Sequence, residues 1–458
     1  MRKLLLATVA VLGASIGAAT VADAQTASPA PGTITVRLNG RFRFYAYGAF
    51  DKDADVAGQK QTNYGFADYA RLYPGFDGVA ANGLKYGASL EIRQDNNSAA
   101  GGGQYGSVSQ QNRSRGNLYL RREWGYIGTD QLGTIRLGST DQPTSLYMTG
   151  NFENFDAGGL NGDTPAFVNG NLQVTWPFAD VGSYYTTTKA IYLSPQLYGF
   201  DFGVSFEPST ANVAGGGGNG CGGAAYEGSA FVNGVGNSGP GCNRLGSTIT
   251  NAESGRRKNT FDGLLRYRGS FGGFGIAATA AYIGGSNVKD ISGIAFNTNP
   301  LNAPIRSNFD GLSVGDFGVA LTYAGFSVGG KYQFGRFNGQ WALAPKGLAD
   351  GEAILGGVSY TIGPVIVGAH YLNYKSAGDV GNANFGRQRR EQGVGAGGTY
   401  SVAPGVSLFV SGLWMERKQN GYDFITGSGV TAVTGAAGTT THNKVTSSLI
   451  SLGTSFSW

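Results

Sequence analysis

The sequence predicts an all-β fold, a transmembrane antiparallel β-barrel of about 16 strands, and three observations carry that prediction. The first is composition. Of 458 residues, 79 are Gly, 24 Tyr and 26 Phe, while charged residues make up only 14%, against about a quarter in an ordinary soluble domain. Fourteen prolines and no three-residue glycine period exclude a collagen-like chain. A hydrophobic content of 41% with 12% aromatics is far more β-favouring material than a disordered chain carries. The second observation is strict two-residue alternation in many short segments. The third is that long and short connectors alternate between those segments.

The first segment, 33–47, is the clearest. Ile34, Val36, Leu38, Phe42, Phe44 and Ala46 take the even positions, and Arg37, Asn39, Arg41, Arg43, Tyr45 and Tyr47 the odd ones, so one face is oily and the other polar. Segment 83–95 repeats the pattern, with Leu84, Tyr86, Ala88, Leu90 and Ile92 opposite Lys85, Ser89, Glu91, Arg93 and Asp95. Further segments are expected at 63–76, 117–128, 132–138, 182–194, 199–207 and 260–269. The second half continues at 273–283, 310–323, 326–335, 352–362, 364–373, 391–401, 405–415 and 444–458.

Connectors after even-numbered strands are short, such as Thr129-Asp130-Gln131, Ala324-Gly325 and Val402-Ala403-Pro404, whereas those after odd-numbered strands are long and polar. Short periplasmic turns and long extracellular loops are the mark of an outer-membrane barrel. In lipid every backbone N–H and C=O must be paired, so a sheet there closes on itself, apolar outside and polar within. That accounts for a mean hydropathy of only −0.14. A sixteen-strand barrel is too wide for side chains to fill and leaves an aqueous channel. One texture runs from Gln25 to Trp458, so residues 25–458 read as a single barrel domain.

Residues 1–24 read differently. Arg2 and Lys3 precede an uncharged stretch, Leu4 to Ala22, and then Ala22-Asp23-Ala24, the shape of a secretory signal cleaved after Ala24. Its loss removes two cations and one anion, lowering the formal net charge from +5 by one.

Tyr192-Leu193-Ser194-Pro195-Gln196-Leu197-Tyr198-Gly199-Phe200 resembles the Y-x-S-P followed by G-F that Gram-negative general-diffusion porins of alphaproteobacterial type carry around a short periplasmic turn. The aromatic last residue, Trp458, is also porin-like, although the family usually ends in Phe. The resemblance implies an outer-membrane setting among lipid and lipopolysaccharide, a homotrimer, reading of the Trp458 end by the outer-membrane assembly machinery, and no cofactor or nucleic acid. It also implies that the long connector from about Ser139 to Val181 folds into the barrel and narrows it. Glu153, Asp156, Asp163 and Asp180 are the acids of that connector.

Catalysis has little to work with. His370 falls in a predicted strand and His442 in the last long loop, and neither has the spacing of a triad or a metal site. Gly393 to Gly398 fits G-x-G-x-x-G, but it lies in a predicted strand with no helix to follow, so it reads as chance in a glycine-rich chain. Cys221 and Cys242, the only cysteines, share one long connector; export makes a disulfide staple of that loop the expectation.

The constellation that stands out is cationic. Arg37, Arg41, Arg43, Arg71, Arg93 and Arg136 all take the non-lipid parity of the first five strands, and with Glu153, Asp156 and Asp163 they are the candidate pore-lining residues. Arg122 shares its parity with Leu118, Leu120, Trp124 and Tyr126, so it is expected to face outward, where a subunit contact would shelter it. The expected function is a passive channel for small hydrophilic solutes and ions with a modest anion preference. The alternatives are a channel specific for a sugar or phosphate, and a β-barrel hydrolase, for which no convincing nucleophile and base are present.

Overall fold

A computed structural model describes residues 29–50, 63–95, 118–156, 160, 172–178, 186–209, 230–232, 235–237, 257–287, 309–339, 341–344, 346–378, 388–424, 428–429 and 442–458. Residues 1–24, Cys221, Cys242, Asp163 and Asp180 lie outside them.

Period-two segments become sixteen barrel strands. They are β1 (Thr33–Phe50), β2 (Tyr64–Val79), β3 (Lys85–Asp95), β4 (Tyr119–Thr129), β5 (Gly133–Ser139), β6 (Thr188–Leu193), β7 (Phe200–Ser209) and β8 (Arg257–Phe271). The remainder are β9 (Phe274–Asn287), β10 (Leu312–Tyr323), β11 (Phe326–Arg336), β12 (Gly351–Ile362), β13 (Val365–Ser376), β14 (Arg389–Ala403), β15 (Val406–Gln419) and β16 (Lys444–Ser457). Each pairs antiparallel with its neighbours in sequence, and β16 pairs with β1 to close the barrel. Two small two-stranded pieces, Ala230–Val232 with Val235–Asn237 and Tyr422–Asp423 with Ser428–Gly429, stand outside it.

The turn chemistry fits the hairpins. Ala324 and Gly325 between β10 and β11 both take positive φ, 46° and 86°, the backbone that a two-residue hairpin turn requires. In the porin-like segment, Leu197 and Phe200 exchange both backbone hydrogen bonds around Tyr198-Gly199, and the Ser194 hydroxyl accepts from Phe202 N at 2.8 Å.

Alternation sorts the two faces. Val36, Leu38, Phe206, Phe317, Val319, Ile354, Val410 and Ile450 are exposed on the outside, as a lipid-facing wall demands. Near the short turns, outward aromatic rings pack from strand to strand, Phe274 stacked on Tyr323 at 4.1 Å, with Phe200 tilted against Tyr267 at 4.8 Å and Phe326 against Tyr360 at 4.3 Å. These form one of the aromatic girdles that mark a membrane interface.

One expectation fails. The β3–β4 ladder sets Glu91 opposite Arg122 but Ile92 opposite Leu120, leaving Arg121 unmatched in a bulge. One extra residue reverses parity along the rest of the strand. Arg122, Trp124 and Tyr126 therefore face inward, and Arg122 does not point to lipid. It pairs with Glu91 and Asp141 inside the barrel. Glu123 takes the outward position instead, opposite Leu90.

Candidate functional site

The loop between β5 and β6 enters the barrel and lies against one side of its interior. Its entry is pinned at a helical turn, α1 (Pro143–Leu146), for which Gln142 provides no side-chain cap. The carboxylate of Asp262 on β8 accepts from Thr144 N at 3.0 Å and Thr144 Oγ1 at 2.7 Å instead. Lys189 on β6 donates to the carbonyls of Thr140 at 2.8 Å and Thr187 at 2.9 Å, tying both ends of the loop together. Tyr147 follows α1; burial pushes its phenol up from the ordinary value, and the guanidinium of Arg266 lies over its ring at 3.7 Å.

From there the chain runs around the wall, strand by strand. A β-carbon on Gly318 of β10 would meet the Thr149 carbonyl; on Gly357 of β12, the ring of Phe152; on Gly368 of β13, the ring of Phe155; on Gly397 of β14, the carbonyl of Asp156. Polar stitches hold the same path. Asn154 Nδ2 donates to Ser359 Oγ at 2.9 Å, Asp156 N donates to Thr399 Oγ1 at 3.1 Å, and the Asp156 carboxylate pairs with Arg43 of β1.

The returning limb lies on the same wall. Leu172 O accepts from Ser447 Oγ at 3.3 Å, and Thr175 Oγ1 donates to Glu391 at 3.3 Å. Leu160, Val174, Trp176 and Phe178 pack into one apolar cluster with inward Leu355, Leu372, Leu413 and Met415. His370 sits beneath both limbs, its ring 6.0 Å from Phe155 and 6.3 Å from Trp176, so it is a packed residue of this cluster. His442 lies outside it, its Nδ1 3.6 Å from the Asp423 carboxylate.

The opposite wall is cationic. Arg41, Arg71 and Arg93 stand directly opposite one another on β1, β2 and β3, a like-charge row that is unfavourable unless compensated. Compensation is partial. Glu91 gathers Arg93, Arg121 at 3.1 Å and Arg122; Asp77 holds Arg37 at 2.5 Å and accepts from Tyr126 OH at 2.5 Å. Aromatic rings support the guanidinium planes, with Arg71 over Tyr69 at 4.2 Å, Arg43 over Phe409 at 4.3 Å and Arg136 over Trp124 at 3.7 Å. Arg41 lies 5.3 Å from the Tyr69 ring centroid and has no carboxylate partner among the described residues.

All six arginines singled out from sequence take the inward parity. Glu153 and Asp156 lie on the loop that faces them, and Asp156 meets one of the six directly. Arg121 and the carboxylates Asp77 and Asp141 carry no signal in the sequence, and Arg122, expected to face outward, belongs to this inward cluster. Sequence reasoning passed over the glycines on which the loop rests; their signal was inward parity on several neighbouring strands. Gly393 and Gly397 belong to the segment read as chance, and both lie under the loop, Gly393 against Leu160.

A closed sixteen-strand barrel, oily outside, charged within and crossed by its own loop, is the architecture of a membrane channel. The family model for Gram-negative porins matches residues 7–420, and the chain belongs to that family. It is a passive diffusion channel of the outer membrane, and its work is transport without catalysis. The family sets it among outer-membrane lipid and lipopolysaccharide, as an oligomer. No curated protein matches the chain. Among solved structures it is similar to the anion-selective porin from Comamonas acidovorans, with 14% identity over 93% of this chain and 100% of that one and a TM-score of 0.48. It is also similar to a triple mutant of Rhodopseudomonas blastica porin, with 13% identity, the same coverage and a TM-score of 0.46.

Proposed function

We propose that the channel is a general-diffusion pore with a modest preference for anions, its narrow zone lined by Arg37, Arg41, Arg43, Arg71, Arg93 and Arg136 on one side and by the loop bearing Glu153, Asp156 and Asp163 on the other. One observation carries this reading. Arg41, Arg71 and Arg93 form a like-charge row across β1, β2 and β3, and Arg41 in that row has no carboxylate partner among the described residues. Fixed charge beside low-dielectric walls raises the local counter-ion concentration, and the effect fades as the Debye length falls from about 30 Å at 0.01 M salt to about 3 Å at 1 M. Reversal potentials across a salt gradient test it: anion selectivity that weakens in high salt is expected, and a cation-selective pore sinks the proposal.

The oligomer is proposed to be a homotrimer, joined along β4 to β6. Support comes from strand length and charge. β5 has 7 residues and β6 has 6, short of the roughly 9–11 that a lipid-exposed strand needs, and Glu123 puts a carboxylate on the outward parity beside them. A neighbouring subunit would cover both. Monomeric protein by light scattering in mild detergent would defeat this.

Residues 1–24 are proposed to be removed on export, leaving residues 25–458 as one barrel domain, and Trp458 to be the end that the assembly machinery reads. N-terminal sequencing of protein from outer membranes should begin at Gln25.

A further inference from the structure

We infer that the aperture of the pore is set by a groove of inward-facing glycines, Gly318, Gly357, Gly368 and Gly397, in which the inserted loop is seated; the inference rests on the channel reading above.

None of the four has positive φ, so left-handed backbone is not the reason for glycine there. What glycine supplies is room. On each, an added β-carbon would meet the loop: Thr149 O at Gly318, Phe152 at Gly357, Phe155 at Gly368, Asp156 O at Gly397; at Gly368 it meets the loop alone, whereas Gly318, Gly357 and Gly397 also face Thr279 of β9, the Ala369 carbonyl of β13 and the Val410 carbonyl of β15. The glycines lie on β10, β12, β13 and β14, and the loop residues they meet run in order from 149 to 156, so the contact is a continuous track around the barrel. Strand tilt explains why the track steps along the hydrogen-bond register from one strand to the next. Gly357 lies opposite His370 on β13, yet the glycine that serves the loop there is Gly368, two residues along.

Loop distance from this wall is therefore fixed by side-chain volume at four positions. The loop stands between the groove and the arginine wall, and its Asp156 already touches Arg43 across the gap. Any bulk added to the groove displaces the loop toward the arginines and takes cross-section from the pore. At Gly357 the added carbon would stand 2.8 Å from Phe152, and since carbon atoms rest at about 3.5–4.0 Å the loop must retreat by about 1 Å. The polar stitches from Asn154 and Asp156 keep it from lifting away altogether.

Neighbouring glycines on the opposite parity provide the control. Gly356 precedes Gly357 in β12 but has nothing within 4 Å of the place a β-carbon would take, so a methyl group there enters lipid space.

The test is single-channel conductance of the full mature protein in planar bilayers, with folding of each variant verified by its unheated gel mobility. Gly357→Ala and Gly368→Ala should conduct less than wild type, Gly368→Val less than Gly368→Ala, and Gly356→Ala the same as wild type. In Gly368→Val, the second change Phe155→Ala removes the ring that the added methyls meet, and conductance should return toward that of Phe155→Ala alone. That rescue separates loop displacement from general damage to the barrel. If wild type conducts and the groove variants match it or conduct more, the groove inference is overturned and the channel reading stands. A folded wild type that carries no current overturns both.

Discussion

The indole of Trp458 lies against the α-carbon of Gly40, and the two residues exchange backbone hydrogen bonds of 3.2 Å in both directions. This contact is the last link of the β16–β1 seam that closes the barrel. Gly40 takes the outward parity of β1, and its missing side chain is the space that the ring fills.

Gly40→Val is accordingly expected to weaken closure, since overfilling a packed contact costs about 1–3 kcal/mol. Urea titration of refolded barrel should show a lower midpoint for this variant, and Trp458→Ala should lose less, because it leaves a gap without a clash. Equal midpoints for Gly40→Val and wild type would exclude the contact as a closing element.

Arg41→Gln and Glu91→Gln should act in opposite directions. Arg41 has no carboxylate partner among the described residues, so its loss should lower anion preference while leaving stability nearly unchanged. Glu91 neutralises three guanidinium groups; removing its charge leaves them buried together, a loss of about 3–5 kcal/mol where a buried pair is broken. Protein that still folds should be more anion-selective than wild type. Reversal potentials and urea midpoints, measured on both variants, check the pair of effects.

The Arg43–Asp156 ion pair joins the inserted loop to the far wall. Asp156→Asn and Arg43→Gln should each increase low-frequency current noise, and the double variant should add little to either, as expected for two partners in one contact. Independent, additive effects would show that the pair does not hold the loop.

Deletion of Arg121 should be tolerated. With the extra residue gone, Leu120 directly precedes Arg122, and plain alternation keeps Leu120 outward, Arg122 inward opposite Glu91 and Glu123 outward opposite Leu90. Arg121→Ala keeps the bulge and should fold as well. Unheated gel mobility checks both, and failure of the deletion alone would show that the bulge itself is required.

Cys221 and Cys242 are expected to be joined in protein taken from cells. Thiol labelling of unreduced protein should find neither free, and reduction should leave the barrel folded, because the pairing of the sixteen barrel strands lies outside their connector. Full labelling of both removes the disulfide.

The strands were legible because lipid and water impose opposite demands on alternate residues, so β1 displays its two faces in plain order from Ile34 to Tyr47. The inward arginines followed from the same rule. Arg122 was not legible, because Arg121, Arg122 and Glu123 are all ionic and hydropathy gives no sign of where the extra residue enters; only the pairing with Glu91 reveals it. Gly368 and Gly397 were visible as glycines but not as a seat, since their role depends on which strands the loop crosses, a long-range relation that no local pattern encodes. The path of the loop up to Asp156 was likewise hidden, being fixed by contacts with strands more than 200 positions away in sequence, such as Asn154 with Ser359.

The glycine seat also makes inherited change in the pore directional. Every codon for glycine begins GG, and each single-base substitution that alters the amino acid yields a larger one, such as alanine, valine, serine or aspartate. At Gly318, Gly357, Gly368 and Gly397 the genome therefore has many one-step routes to a tighter pore and none to a wider one. A population exposed to a harmful hydrophilic solute can restrict its entry quickly through these four positions, and it regains permeability only by reverting the same codon or by shortening a side chain of the loop.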